Sequence, residues 1–443
     1  VVSAPDLAVG GPARDAGPAD TVGGVQPRFV AAPRDAESLA QVLARCAEEG
    51  LSAVARGDGT KLDWGHPPST VDVVVDTGRL AGVLGHSAPD LVVTVGAGTP
   101  VRAVQALLAR SGQRLALDPP SVEATVGGML ATAEAGPLRH TFGAPRDLLL
   151  GVEFVRADGT FARAGARLAA GSALGALGDG SGAVGTGRGD GYDLGGGYDL
   201  GRLLCGSYGT LGVLASATFR LHPAPVRRAW VVRAVHNPAE VAGLVSDLLD
   251  SVLAPTAIEV DLPSLPVLPR QRDGGPIPGG QLAVLFEGSV EGVPARCQVA
   301  EVLLRGGVST VDEAPVWWGR YPFSAADVAL RLSAPVAGLA TALYALRDAA
   351  GVPFRVRGSA GVGVVHAVLP ATVPEERLAA ALAAVRSALA VRGGNCVVLC
   401  APSPLREALD LWGPTPGVAL LRRIKEQFDP RRLLAPGRFV GGI

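Results

Sequence analysis

Three turns built around glycine carry most of the chemical signal in this chain. The first is R-G-D-G-T-K at 56–61. With Gly57 and Gly59 on either side of Asp58, the backbone can turn several N–H groups inward as one anion-binding concavity. Thr60 adds a hydroxyl donor, and Arg56 and Lys61 add positive charge. The competing reading is an ordinary turn leaving a strand. The second is a run of small residues: D-P-P-S at 118–121, T-V-G-G-M-L-A-T at 125–132 and G-P-L-R-H-T-F-G at 136–143. Around Gly127, Gly128, Ala131 and Gly136 a flat ring system could approach the main chain closely. Tight packing of a helix on a sheet asks for the same residues. The third is G-S-Y-G-T-L-G-V at 206–213, where Gly209 and Gly212 flank a turn into a strand beginning near Val213. Its alternative is a plain turn before a buried strand.

One further match is set aside. Gly180, Gly182 and Gly185 satisfy G-x-G-x-x-G, but a dinucleotide fingerprint needs a strand before it and a helix after it. Here small residues lie on both sides, within a stretch at 165–201 that holds 14 of the chain's 60 glycines.

The elements that must position these turns follow from periodicity and punctuation. Strands are expected at 28–32, 51–55, 71–76, 91–95, 148–155 and 160–163, and after the turn at 209–221. Asp35 is a fitting N-cap for a helix over 35–49, with Leu39, Val42, Leu43 and Cys46 on one face and Gly50 ending it. Thr99-Pro100 opens a second helix that runs to about 111. His222-Pro223-Ala224-Pro225 breaks the chain at a domain boundary. Beyond it, strands at 230–235, 282–286, 364–369 and 396–399 alternate with helices at 241–252, 294–305, 335–349 and 374–391, the pattern of an antiparallel sheet covered by helices. A basic amphipathic helix at 417–428 comes last. Residues 1–26, rich in Gly, Pro, Ala and Asp, read as a mobile tail.

Composition narrows the function classes. A chain of 443 residues suggests two or three domains, and 48% hydrophobic residues supply a large core. No Gly-X-Y period runs through it, which excludes collagen. With 40 basic and 41 acidic residues the net charge is −1. There is no basic field for a nucleic-acid backbone. No apolar run approaches the ~20 residues that span a bilayer, and no Sec-type signal is expected. The five cysteines, with Cys396 and Cys400 spaced C-x3-C, read as buried reduced thiols in a cytosolic protein.

The order and spacing of the turns say more than each alone. The series G-D-G-T-K-L-D-W-G, T-V-G-G-x-x-A-T with G-P-x-R-x-x-x-G-x-x-R-D, and G-Y-D-L-x-x-L-L-x-G-S-x-G-T-L-G-V resembles the FAD-binding domain of the vanillyl-alcohol oxidase / p-cresol methylhydroxylase (PCMH-type) flavoproteins. The tail I-K-E-Q-F-D-P-R-R-L-L-A-P-G-R at 424–438 resembles that superfamily's C-terminal signature. L-A-L-D-P-P at 115–120, V-W-W at 316–318 and L-R-L-S-A-P at 330–335 point to the FAD-binding (E-type) subunit of bacterial glycolate oxidase. The resemblance implies an α+β protein with a two-lobed PCMH-type FAD-binding domain at 27–225, interrupted by a Gly-rich insertion at 165–197. It implies an α+β cap domain with antiparallel sheet at 226–412, and a C-terminal segment at 413–443 that returns to the FAD domain. Carried over by position, Arg56, Gly57, Asp58, Gly59, Thr60 and Lys61 would face the pyrophosphate. Pro120, Ser121, Thr125, Gly127, Gly128, Ala131 and Gly136 would line the pyrophosphate and isoalloxazine. Gly143, Asp147, Gly209, Gly212 and Val213 would close on the rest.

The same resemblance implies oxidation of a small 2-hydroxy acid, with hydride passing to flavin and electrons to a D-type flavoprotein and an iron–sulfur subunit. The expected location is cytoplasmic, at most peripheral to the inner face of the membrane through those partners. Covalent relatives place a His near the first loop, where this chain has Thr60-Lys61, so FAD is expected to be noncovalent. The Lys-Asn segment usual before G-Y-D-L is replaced by the Gly-rich stretch. D-type relatives carry G-H-x-G-D-G-N-x-H in the cap. At that spacing this chain has G-S-A-G-V-G-V-V-H (358–366), which keeps only His366, and no metal is expected. Arg331, Arg355, Arg357 and His366 are the remaining candidates for a cation that holds a carboxylate and a base that takes a proton; Arg355, Arg357 and His366 stand as the catalytic expectation. Two other readings stay open: a stand-alone FAD-dependent alcohol or hydroxy-acid oxidase, and a structural subunit that has lost FAD.

Overall fold

The computed structural model describes residues 3–166, 192–193, 199–266 and 279–443. Two compact units divide it: 1–135 with 143–224 and 415–443, and 136–142 with 225–414.

The first unit holds two sheets. In one, β1 (Ala13–Asp15), β2 (Phe29–Ala31), β4 (Val73–Asp76) and β3 (Ala53–Arg56) lie in that order; β1 runs antiparallel and the others parallel. α1 (Ala36–Glu49) covers this sheet with Leu39, Val42, Leu43 and Cys46. Asp35 caps it by accepting the Ser38 N–H at 2.8 Å, and Gly50 ends it at φ +69°. The second sheet orders β10 (Tyr192–Asp193), β9 (Phe161–Gly165), β8 (Leu149–Val155), β11 (Val213–Arg220), β6 (Val92–Gly96) and β5 (Val83–Ser87). β7 (Gln113–Arg114) and β12 (His222–Pro223) form a small ribbon. The helices α2 (Val101–Ala109), α3 (Val126–Thr132), α5 (Pro145–Leu148), α6 (Leu200–Leu204) and α12 (Val418–Phe428) complete the unit. Pro100 stands one residue before α2, at its N-cap, rather than at the first helical position expected of it.

The expected tail at 1–26 is a correction. Its residues from 3 onward carry two short 3-10 turns and β1, which pairs with β2. Leu7 is buried in the α1 core, and Asp20 is buried between two arginines. The Gly- and Pro-rich composition concealed a strand whose partner lies some way along the chain, and local periodicity does not report such pairing.

The second unit is an eight-stranded antiparallel sheet: β16 (Val308–Val311), β13 (Arg227–Val235), β15 (Gly280–Gly288), β14 (Ala257–Leu265), β18 (Phe354–Ser359), β19 (Val364–Leu369), β17 (Val328–Ser333) and β20 (Asn395–Cys400). The helices α7 (Pro238–Leu249), α8 (Gly292–Leu304), α9 (Val336–Ala350) and α10 (Glu375–Ala390) bury one face, and α11 (Ser403–Ala408) follows β20. Val260, Leu262, Val356, Val365, Leu330 and Leu332 point into this core, so the alternate residues of their strands face the other way. The segment 136–142, with α4 (Arg139–Phe142), belongs to this unit rather than to the first. Leu138 packs with Trp318 against Trp230, Ala257 and Leu285, and the Thr141 hydroxyl donates to the Thr256 carbonyl. Cys396 and Cys400 are buried free thiols on β20. Among the described residues no helix is long and apolar enough to cross a membrane.

Candidate functional site

The three glycine turns converge in the first unit on one cavity. Its walls are the loop 56–61 leaving β3, one side of α3, the turn 207–213 entering β11, and Arg438. Thr125 caps α3 through the Gly128 N–H, and the turn is stitched to α3 by the Gly206 and Tyr208 N–H groups donating to the Leu130 and Ala131 carbonyls. Arg56, Gly57, Asp58, Gly59, Thr60, Lys61, Thr125, Gly127, Gly128, Ala131, Gly209, Gly212 and Val213 all line the cavity. The glycines serve it in two ways. A Cβ on Gly57 would stand 2.2 Å from Thr125 Oγ1, and one on Gly212 would stand 2.8 Å from the Phe154 ring, so these permit the walls to pack. A Cβ on Gly209, at φ +75°, would meet nothing within 4 Å, so there the bare backbone keeps the wall open.

The charge expected on the first loop is held elsewhere. The Arg56 guanidinium donates to Asp20 at 2.8 Å and to Asp76 at 2.7 Å. Arg14, with help from Arg56 and the Gly17 N–H, holds the Asp20 carboxyl well below the usual carboxylate range, against the opposing effect of burial. The Lys61 ammonium lies 2.6 Å from Glu134 Oε2 and donates to Thr60 Oγ1 at 2.9 Å. Glu134 in turn accepts the Ser121 N–H. From the C-terminal segment, buried Arg438 donates to the Lys61 and Leu62 carbonyls at 2.7 and 3.0 Å. The loop is thus fixed at both ends while its own donors stay available. Among the described residues, the N–H groups of Asp58, Gly59, Thr60 and Lys61 have no protein acceptor. A row of unspent backbone donors beside glycine-bare walls fits a pyrophosphate joined to a flat ring, as FAD presents.

Asp20, Glu134 and Arg438 are not among the residues the sequence singles out, although Arg438 closes the quoted L-L-A-P-G-R. Some expected residues lie off the cavity wall. Ser121 stands behind it, through Glu134. Pro120, Gly143 and Asp147 do not line it, and Asp147 caps its own short helix by accepting the Ala144 N–H. Gly136 belongs to the second unit. The Gly-rich insertion and G-Y-D-L, which occurs at 191–194 and again at 197–200, fall mainly outside the described residues.

In the second unit, the face of the sheet away from the helices carries a polar row. Asp261, Arg357, His366 and Arg331 lie directly opposite one another across β14, β18, β19 and β17. Arg357 pairs with Asp261 at 2.7 Å and lies against the Trp317 ring. Arg355, one row away, pairs with Asp327 at 3.3 Å. Arg331 differs: its Nε is buried without a hydrogen-bond partner. Tyr321 packs edge-on to His366 at 5.0 Å, with Phe323 beside it. Burial, then the nearby Arg331 and Arg139 charges, push His366 down to about 3, so the ring is neutral at physiological pH. At the position of the relatives' first histidine, the Ser359 hydroxyl donates to Glu259. Among the described residues no group of three or more His, Cys, Asp or Glu could hold a metal ion.

Comparison with known proteins agrees with this chemistry. Residues 27–165 match the family model described as an FAD binding domain. The chain is 25% identical to glycolate oxidase subunit GlcD of Bacillus subtilis (strain 168), over 93% of this chain and 88% of that protein. It is 30% identical to glycolate oxidase subunit GlcE of Escherichia coli (strain K12), over 43% of this chain and 47% of that protein. It is also 30% identical to D-lactate dehydrogenase of Archaeoglobus fulgidus, over 44% of this chain and 38% of that protein. In structure it is similar to an alkyldihydroxyacetonephosphate synthase, with a TM-score of 0.65 and 16% identity over 94% of this chain and 78% of that one, a likeness of fold. Residues 27–165 are therefore an FAD binding domain, and the chain is an FAD-dependent oxidoreductase similar to the glycolate oxidase and D-lactate dehydrogenase proteins, with FAD as its cofactor.

Proposed function

We propose that this chain oxidises a small 2-hydroxy acid as the FAD-binding subunit of a glycolate-oxidase-like assembly, passing electrons to a D-type flavoprotein and an iron–sulfur subunit. The observation that carries the reading is Arg331 beside a neutral His366, with a buried guanidinium nitrogen that no protein acceptor uses. The likeness to both glycolate oxidase subunits supports the reaction class and the assembly.

In this reading FAD is held noncovalently by the N–H groups of 58–61 and the walls at 125–131 and 207–213, and supplies the hydride acceptor. The protein's own contribution is binding and proton handling. Arg331 donates to the substrate carboxylate, a charge-assisted contact. Arg357 and Arg355 keep Asp261 and Asp327 as partners, so they orient the surface rather than bind the anion. The neutral His366 ring is the candidate acceptor for the hydroxyl proton; a carboxylate on Arg331 relieves only the second cause of its depression, and burial, the first, remains.

Anaerobic mixing of the FAD-loaded protein with a panel of 2-hydroxy acids tests this. Loss of flavin absorbance with short 2-hydroxy acids, needing far more substrate in Arg331→Met, is the expected result. Failure of every 2-hydroxy acid to reduce the flavin would overturn the reading. Rapid turnover with oxygen and no partner would overturn its assembly part in favour of a stand-alone oxidase.

A further inference from the structure

We propose that Lys425 is a positioning residue for the cofactor: from α12 its ammonium joins the turn 207–212 to the segment that carries Arg438, holding two walls of the FAD cavity at one point. Lys425 is 1% exposed and has three N–H donors, all used. They go to the Thr210 carbonyl at 2.7 Å, the Leu434 carbonyl at 2.9 Å and Asp429 Oδ2 at 2.7 Å. Asp429, fully buried, also accepts the Leu433 and Leu434 N–H groups.

Packing alone does not call for this arrangement. A buried ammonium is unfavourable unless every donor is satisfied, and an apolar side chain of similar size fills the same space at lower cost. What the ammonium does is hold carbonyls from two segments distant in sequence. One is in the turn that supplies Ser207, Tyr208, Gly209 and Gly212 to the cavity. The other continues through Ala435, whose N–H donates to the Ala53 carbonyl of β3, to Arg438 and its bonds to the first loop. The tie therefore reaches the strand that launches 56–61 as well as the turn opposite. The chain's tail acts as a strap across the cofactor site, with Lys425 as its fastening.

The inference rests on FAD occupying this cavity, and the experiment separates the two claims. Apoprotein of the full chain is titrated with FAD, as wild type and as Lys425→Met. K425M is expected to fold, judged by far-UV circular dichroism, with an FAD dissociation constant raised about tenfold or more. At saturation its bound flavin should also show altered visible circular dichroism, which a loss of global stability alone would not produce. An unchanged dissociation constant and spectrum in folded K425M overturn the proposal. Wild type that takes up no FAD overturns the cofactor assignment and the proposal together. Should K425M not fold, hydrogen exchange in the wild type decides. On removal of FAD, amides of 207–212 and 433–438 should lose protection together, and loss confined to 207–212 overturns the strap.

Discussion

Lys61 Nζ stands 2.6 Å from Glu134 Oε2, with side chains only 5% and 0% exposed. The same carboxylate accepts the Ser121 N–H, so one buried acid holds the end of the cofactor loop to the turn at 118–121. Removing one member of such a pair leaves an uncompensated buried charge, at a cost of ~3–5 kcal/mol. Glu134→Gln is expected to lower the urea midpoint of the first unit and to weaken FAD binding. Replacing both partners with apolar residues should recover most of the stability. Equal midpoints for E134Q and wild type would contradict this.

Asp20 ties the N-terminal segment to the cofactor loop through Arg14 and Arg56. Its carboxyl is depressed in the folded chain relative to an ordinary 3.8. Such a group contributes stability above its unfolded value, and that stability is lost as pH falls through the folded value. Asp20→Asn should therefore be less stable than wild type at neutral pH, with the gap closing as the solution is acidified below 3.8. Denaturation midpoints across that range check it. A gap that is constant with pH would count against it.

Gly57 admits no side chain, because its Cβ would overlap Thr125 at the start of α3. Gly57→Ala should displace the loop and lose most bound FAD while the second unit stays folded. Gly209→Ala meets no neighbour. There the left-handed backbone costs about 1 kcal/mol, and the added methyl narrows the cavity. The ratio of flavin to protein absorbance in purified variants reads both; full flavin content in G57A is the contrary result.

His366 is held at about 3 against an ordinary 6.5. Below 6.5 the unfolded chain binds a proton that the folded chain refuses, so this contribution is complete above 6.5 and declines towards 3. In NMR the His366 ring should not titrate near its ordinary value, and His366→Gln should flatten the acid limb of the stability curve. A ring that titrates at its ordinary value would refute the enclosure.

Thr60 and Lys61 occupy the place where covalent relatives carry histidine. Acid precipitation should therefore leave a colourless pellet and release all the flavin to the supernatant. A yellow pellet would show a covalent bond.

The sequence by itself determined the three glycine turns, the α1 cap and stop, and most of the helices, because each is written in neighbouring residues. Periodicity also marked β14 and β18, where Val260 and Leu262 alternate with Glu259 and Asp261, and Val356 lies between Arg355 and Arg357. Neither is among the strands expected from the sequence. Tertiary structure alone decided which charges remain usable. Arg56 and Lys61 read as cations for a phosphate, yet Asp20 and Glu134, distant along the chain, neutralise them in place. Arg355, Arg357 and Arg331 look alike in sequence, and only the folded chain brings Asp327 and Asp261 to the first two while leaving the Nε of the third without a partner. Local pattern records propensity and burial, whereas the partner of a charge is set by chain closure over long separations.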